Sequence, residues 1–185
     1  MKFKSKIIIF PTDTVYGLGC SIHDYDGLNK IYNIKKRDIN KPISVLCASL
    51  GQLKQIVILN EKITKITDVF WPGPLTLIIP THPDYYNKTK EKKIGIRIPN
   101  HLLALKILKK EGPLRVTSVN ISGEEPLYDY TEIKKHFGDK VDFIYKNNDF
   151  FSNISSTVVD TTTENWKLIR EGEISFEKIQ KIINS

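Results

Sequence analysis

The run KIIIFPTDTVYGLG, Lys6 to Gly19, decides the fold class. Ile7, Ile8, Ile9 and Phe10 form an unbroken apolar run, the pattern of a buried strand, and Pro11 ends it because proline has no N–H for a ladder. A turn dense in hydroxyls follows, Thr12, Thr14 and Tyr16, with Gly17 and Gly19 where backbone could approach a ligand closely. No GxxxxGK(S/T) occurs, so this is not a Walker loop. By itself it also fits an ordinary turn whose hydroxyls cap nearby backbone. A helix over Tyr25 to Lys35 comes next, with Leu28, Ile31 and Tyr32 on one face.

Outward from that unit the chain keeps interleaving strands and helices. Strands are expected at Ile43 to Cys47, Leu75 to Ile79, Ile94 to Ile98, Leu114 to Ser118, Val141 to Tyr145, Thr157 to Thr161 and Lys167 to Arg170. Helical spacing covers Leu50 to Val57, Glu61 to Trp71, Leu102 to Lys110, Tyr130 to His136 and Ser175 to Ile183, with Ser175 as a cap. Trp71-Pro72-Gly73-Pro74 is a stop signal, and lysine-rich Thr81 to Lys93 is the best loop candidate. The pattern predicts an α/β domain with some antiparallel pairing, since several strands follow one another without a crossover helix. No repeat or linker divides the 185 residues, so one domain spanning 1–185 is expected.

Apolar residues make up 40% and charged residues 26%, a globular balance. The apolar run ending at Phe10 is too short for a signal-peptide core and no stretch suits a membrane span, which makes the cytoplasm the default address. Cys20 and Cys47 form no CxxC, and the four histidines never pair at i,i+3 or i,i+4, so no zinc site or disulfide framework is legible. The net charge of +7 is spread along the chain. Only Arg37, Arg97, Arg115 and Arg170 are arginine among 28 basic residues, so each calls for a reason: forked recognition of an anion, or a structural ion pair.

Polar clusters gather at strand ends, where α/β sheets place ligands. Beside the first turn stand Lys35, Lys36 and Arg37 with Lys41 just beyond, either favouring a helix dipole or forming a polyanion clamp. Arg97 lies in the apolar strand Gly95 to Pro99 and needs a carboxylate partner, structural or supplied by a ligand. In the run from Thr117 to Gly123, alternation sends Ser118 and Asn120 to one face. Ser155, Ser156 and Thr157 precede a late strand, and Arg170 ends the last. With no Ser-His-Asp or Cys-His set, the array suits a reaction in which charged oxygens are held and neutralised, as in nucleotidyl transfer.

Together these segments resemble the YrdC family of threonylcarbamoyl-AMP synthases: PTDTVYGLG at Pro11 to Gly19, KxR at Lys35 and Arg37, WPGPLT at Trp71 to Thr76, IRIP at Ile96 to Pro99, SxNISG at Ser118 to Gly123, STVVD at Ser156 to Asp160, and the ending at Arg170 to Gly172. The resemblance implies an open, twisted mixed α/β sheet with flanking helices, as in YrdC and RibB-like folds, and a concave, positively lined cavity. It further implies synthesis of L-threonylcarbamoyladenylate and pyrophosphate from L-threonine, bicarbonate and ATP with Mg²⁺, for threonylcarbamoyladenosine modification of tRNA at position 37 through a downstream transferase complex. By that similarity Arg37, Lys41, Ser118 and Arg170 hold the nucleotide with Lys35 and Asn120 beside them, while Thr14, Arg97 and Ser156 hold threonine, Arg97 meeting its carboxylate.

Two departures stand out: the first strand begins without the usual preceding helix, leaving a sheet face open to exposure, and Leu46 replaces a histidine common in relatives. The competing expectation is a YrdC-like RNA-binding module without synthase activity, which the net charge suits; the intact KxR and SxN segments favour the enzyme. The related domain of hydrogenase-maturation carbamoyltransferases sits in long chains with zinc-finger cysteines, unlike this chain with two cysteines. The enzyme reading requires the dispersed polar groups to meet in one hollow, and Arg97 to have no acidic neighbour.

Overall fold

The computed structural model describes residues 5–146, 152 and 154–184. Its strands are β1 (Ile7–Phe10), β2 (Gly17–Ser21), β3 (Ser44–Leu46), β4 (Leu75–Pro80), β5 (Lys93–Arg97), β6 (Leu114–Ser118), β7 (Phe143–Ile144), β8 (Thr157–Asp160) and β9 (Lys167–Arg170). The helices are α1 (Tyr25–Lys35), α2 (Glu61–Phe70), α3 (Pro83–Thr89), α4 (Leu102–Glu111), α5 (Tyr130–Phe137) and α6 (Phe176–Ile183). All nine strands join one mixed sheet in the order β7-β1-β2-β6-β3-β5-β4-β8-β9. The pairs β1–β7, β3–β5 and β4–β8 are parallel and the rest antiparallel.

Side-chain alternation along the strands separates two faces. On one, Ile7, Ile9, Leu18 and Cys20 pack with Ile31 of α1 and with Ile133 and Phe137 of α5. Further along, Val45, Ile94, Ile96, Leu75, Leu77, Ile79 and Val159 meet Ile63 and Ile66 of α2, Tyr85 of α3 and Ile179 of α6. On the other face, Ile8, Phe10, Leu46 and Val116 meet only α4, through Ala104, Ile107 and Leu108. Five helices thus pack on one face and α4 alone on the other, and the part of the second face that α4 leaves open is where a ligand can reach the sheet. All four β1 residues are at most 3% exposed, so α1, α4 and α5 cover β1 on both faces, and the expected bare sheet face is not found at this strand.

Three local differences from the sequence reading have physical causes. The second half of the PTDTVYGLG turn is β2, pairing Ile7 with Cys20 and Phe10 with Gly17. Its glycines hide the strand pattern, yet they are required: a Cβ on Gly17 would lie 2.6 Å from Val116 Cγ1. The Thr81 to Lys93 loop contains α3, capped by His82 and begun by Pro83, a polar helix with little apolar periodicity. The helix expected over Leu50 to Val57 is only a 3-10 turn, Leu50–Leu53. Ser175 occupies the N-cap of α6 without a side-chain bond; the Phe176 N–H donates instead to Glu171 Oε1 at 2.8 Å.

Candidate active site

A cavity of 370 Å³ opens on the partly covered face, within the range of small-molecule sites. Its floor follows the two-residue repeat of the central strands: Ser44 and Leu46 on β3, Gly95 and Arg97 on β5, Thr76 and Ile78 on β4. Thr14 and Tyr16 enter from the β1–β2 turn, Ser118 from the end of β6, Ser156 from the approach to β8 and Arg170 from β9. A Cβ on Gly95 would stand 2.6 Å from Ser44 Oγ, so this glycine keeps the floor clear for the hydroxyl.

The lining carries Arg37, Lys93, Arg97 and Arg170 and, among the described residues, no carboxylate. Lys93 is paired with Asp160 at 2.6 Å. Arg37 and Arg170 have no acidic partner among the described residues; they grip backbone instead. Arg37 donates from Nε to Lys41 O at 2.9 Å and from a terminal nitrogen to Pro42 O at 3.2 Å, which folds residues 38–42 against it. It reaches that place because α1 stops at Lys36 in the left-handed region, φ 50°, turning the chain. Arg170 grips Ser156 O through Nε at 3.0 Å and a terminal nitrogen at 2.8 Å. The Ser156 hydroxyl lies 2.8 Å from that of Thr76. Burial and the nearby Arg97 charge pull the Arg170 pKa below its usual value. Two guanidiniums repelling each other across a cavity wall are relieved by an anion between them.

Arg97 does have an acidic neighbour, Asp13, so the condition set for the enzyme reading from the sequence is not met at this residue. That reading rests instead on the other groups that meet in the cavity. Its side chain is 7% exposed and forms an ion pair with Asp13 Oδ1, while Nε donates to Gly73 O at 3.0 Å and a terminal nitrogen to Thr14 Oγ1 at 2.8 Å. A guanidinium this deep must be neutralised by the protein for the chain to fold, so the structural partner is a requirement of burial. Asp13 Oδ2 is itself buried with no hydrogen-bond partner among the described residues.

Of the residues singled out from sequence, Thr14, Arg37, Arg97, Ser118, Ser156 and Arg170 converge on the cavity. Lys35, Lys41 and Asn120 are not among its lining residues. The Lys41 side chain is exposed, and its backbone is what is engaged: the N–H donates to Asp38 O at 3.0 Å and the carbonyl accepts from Arg37 and the Tyr32 hydroxyl. Lys35, 1% exposed, spends its ammonium on Ser118 O, Asn120 O and Asn120 Oδ1. Arg115 is the arginine outside the motifs, and it is structural: Glu91 pairs with it, and Tyr85 Oη and Ile43 O accept from it. Leu46 presents an apolar side chain to the cavity. Sequence reasoning missed Lys93, Thr76, Ser44 and Asp13; the spacing Lys93, Gly95, Arg97 was the available signal for the lysine.

The fold is α/β, and the cavity lining sets arginine and lysine side chains beside small hydroxyls. The chain belongs to the Sua5/YciO/YrdC family, whose profile, described as telomere recombination, matches residues 3–172. A Methanocaldococcus jannaschii relative is 34% identical over 178 residues, covering 95% of this chain and 84% of its own length. The threonylcarbamoyl-AMP synthase of Pyrococcus abyssi is 31% identical over 185 residues, covering 97% of this chain and 54% of its own. The crystal structure of P. abyssi Sua5 complexed with L-threonine superposes with a TM-score of 0.88 at 31% identity, covering 96% of this chain and 54% of that one. This chain thus spans about half the length of the two P. abyssi matches. No helix among the described residues is long and apolar enough to cross a membrane.

Proposed function

We propose that the chain makes L-threonylcarbamoyladenylate and pyrophosphate from L-threonine, bicarbonate and ATP, supplying a transferase that modifies tRNA. The observation that carries this reading is the presence of Arg37 and Arg170, cationic and without acidic partners among the described residues, in one cavity with the hydroxyls of Thr14, Thr76, Ser118 and Ser156. The synthase name of the P. abyssi relative and the threonine bound in its Sua5 support the choice of substrates.

In the reaction the threonine amine attacks bicarbonate carbon, and water leaves to give an N-carboxylate. A carboxylate oxygen then attacks the α-phosphorus of ATP; the bond to the β-phosphate breaks and its electrons leave on pyrophosphate. The protein's part is to hold and neutralise. Arg37 and Arg170 face the phosphates, and Ser118 contributes a hydroxyl. Thr14 and Ser156 suit threonine's polar groups. Arg97 has used three N–H groups on Gly73, Thr14 and Asp13, which leaves the rest of its fork for the substrate carboxylate. Mg²⁺ would enter on the ATP phosphates as part of the substrate, since the described lining residues are cationic, hydroxyl or apolar.

The experiment is release of pyrophosphate from ATP with threonine or bicarbonate withheld in turn. Dependence on both is expected. Release that ignores either one, or no release at all, refutes the reading.

A further inference from the structure

Lys35 carries a buried ammonium that lies outside the cavity lining. It sits at the last residue of α1, two positions before Arg37, and has no acidic partner among the described residues. Its charge is met by three oxygens, Ser118 O at 2.5 Å, Asn120 O at 2.8 Å and Asn120 Oδ1 at 2.7 Å. An ammonium has three N–H donors, so this arrangement leaves none for a phosphate. Asn120 is equally committed: its Oδ1 also accepts from Ser118 Oγ at 2.7 Å, and its amide donates to Glu124 O at 2.6 Å. The Lys35 carbonyl in turn accepts from Ser122 N–H at 2.8 Å. The end of α1 and the turn after β6 are thus tied from both sides, and Arg37 and Ser118 enter the cavity from the two tied segments.

We infer that Lys35 is a positioning residue for nucleotide binding: it fixes the spacing between Arg37 and Ser118 through the turn at Asn120 and does not itself touch phosphate. The inference rests on the synthase reading of the cavity. It explains why lysine stands here in place of arginine. A tetrahedral ammonium can place one hydrogen on each of three oxygens around a point, whereas a planar fork cannot.

Burial, and secondarily the Arg37 charge, lower the Lys35 pKa to about 8. The other groups facing it, Ser118 and Asn120, are neutral, and Glu124 reaches the cluster through its carbonyl. Above that pH a neutral amine keeps two donors for three acceptors, so the tie loosens and ATP binding should weaken.

The test compares wild type with Lys35→Arg, Lys35→Met and Asn120→Ala, measuring MgATP binding by calorimetry and KM for ATP and threonine in pyrophosphate release. If Lys35 positions the turn, Lys35→Arg raises the ATP KM roughly tenfold or more despite keeping the charge, and the threonine KM stays near wild type. A phosphate-contacting lysine would be rescued by arginine, so an unchanged ATP KM in Lys35→Arg overturns the inference. Wild type should also show ATP affinity falling above about pH 8, and a flat profile through that region counts against it. Should a Lys35 variant fail to fold, Asn120→Ala approaches the same tie from the other side and must raise the ATP KM likewise; an unchanged value overturns the inference. Failure of wild type to release pyrophosphate sinks the synthase reading, whereas an active wild type with an indifferent Lys35→Arg sinks only this one.

Discussion

Replacing Asp13 by alanine tests the central electrostatic feature of the site. The Asp13 and Arg97 side chains are 13% and 7% exposed, so water from the cavity replaces the lost carboxylate only in part. Breaking a buried pair by removing one partner costs about 3–5 kcal/mol, mostly the penalty of stranding the other charge. Arg97 keeps its bonds to Gly73 O and Thr14 Oγ1, which places the expected loss near the lower bound, about 3 kcal/mol. For a chain of this length that lowers the melting temperature by roughly 6–12 °C. Thermal melts with and without L-threonine provide the assay, with threonine methyl ester as a control that lacks the carboxylate. If Arg97 receives the substrate carboxylate, threonine should raise the melting temperature of Asp13→Ala more than that of wild type, because the ligand restores the missing counter-charge; the ester should not. A variant that melts within about 2 °C of wild type would refute the burial argument. An equal threonine shift in both proteins would refute the assignment of Arg97 to the carboxylate.

Arg37→Lys keeps the charge but loses the fork that holds Lys41 O and Pro42 O, so the ATP KM should rise about tenfold with stability little changed; steady-state kinetics at varied ATP decides it, and an unchanged KM contradicts the account of the arginines. Gly172→Ala would put a Cβ 2.6 Å from Thr157 N, against backbone that cannot yield, and should cost about 1–3 kcal/mol in denaturant unfolding while loosening the wall formed by Ser156 and Arg170. Burial pushes the Cys20 and Cys47 thiols up to about 12. Both should therefore stay protonated at pH 8 and resist iodoacetamide in the native protein while reacting promptly in denaturant; rapid native labelling would contradict their burial.

The helix over Tyr25 to Lys35 and the strand Leu114 to Ser118 match the structure residue for residue, because apolar periodicity and the capping acid Asp24 act locally. The second strand and the helix after His82 were hidden, one by glycines whose value is close approach to Val116 and the other by a polar composition. The site divides the same way. Scarcity of arginine singled out Arg37, Arg97, Arg115 and Arg170; three of them line the cavity, and Arg115 is held in a structural ion pair with Glu91. Nothing in the residue types distinguishes Lys35, which ties backbone, from Lys93, which faces the cavity, since both are lysines beside a motif.

By itself the sequence determined the α/β class, most element positions and the set of polar groups available for chemistry, since each depends on neighbours a few residues away. Only the tertiary structure decided which of those groups share a cavity, that Asp13 neutralises Arg97, and that Lys35 points into the protein. Those facts depend on contacts across 84 and 83 residues of chain. Hydrogen bonds and charge pairs form between atoms a few ångströms apart, and only the assembled sheet sets that spacing.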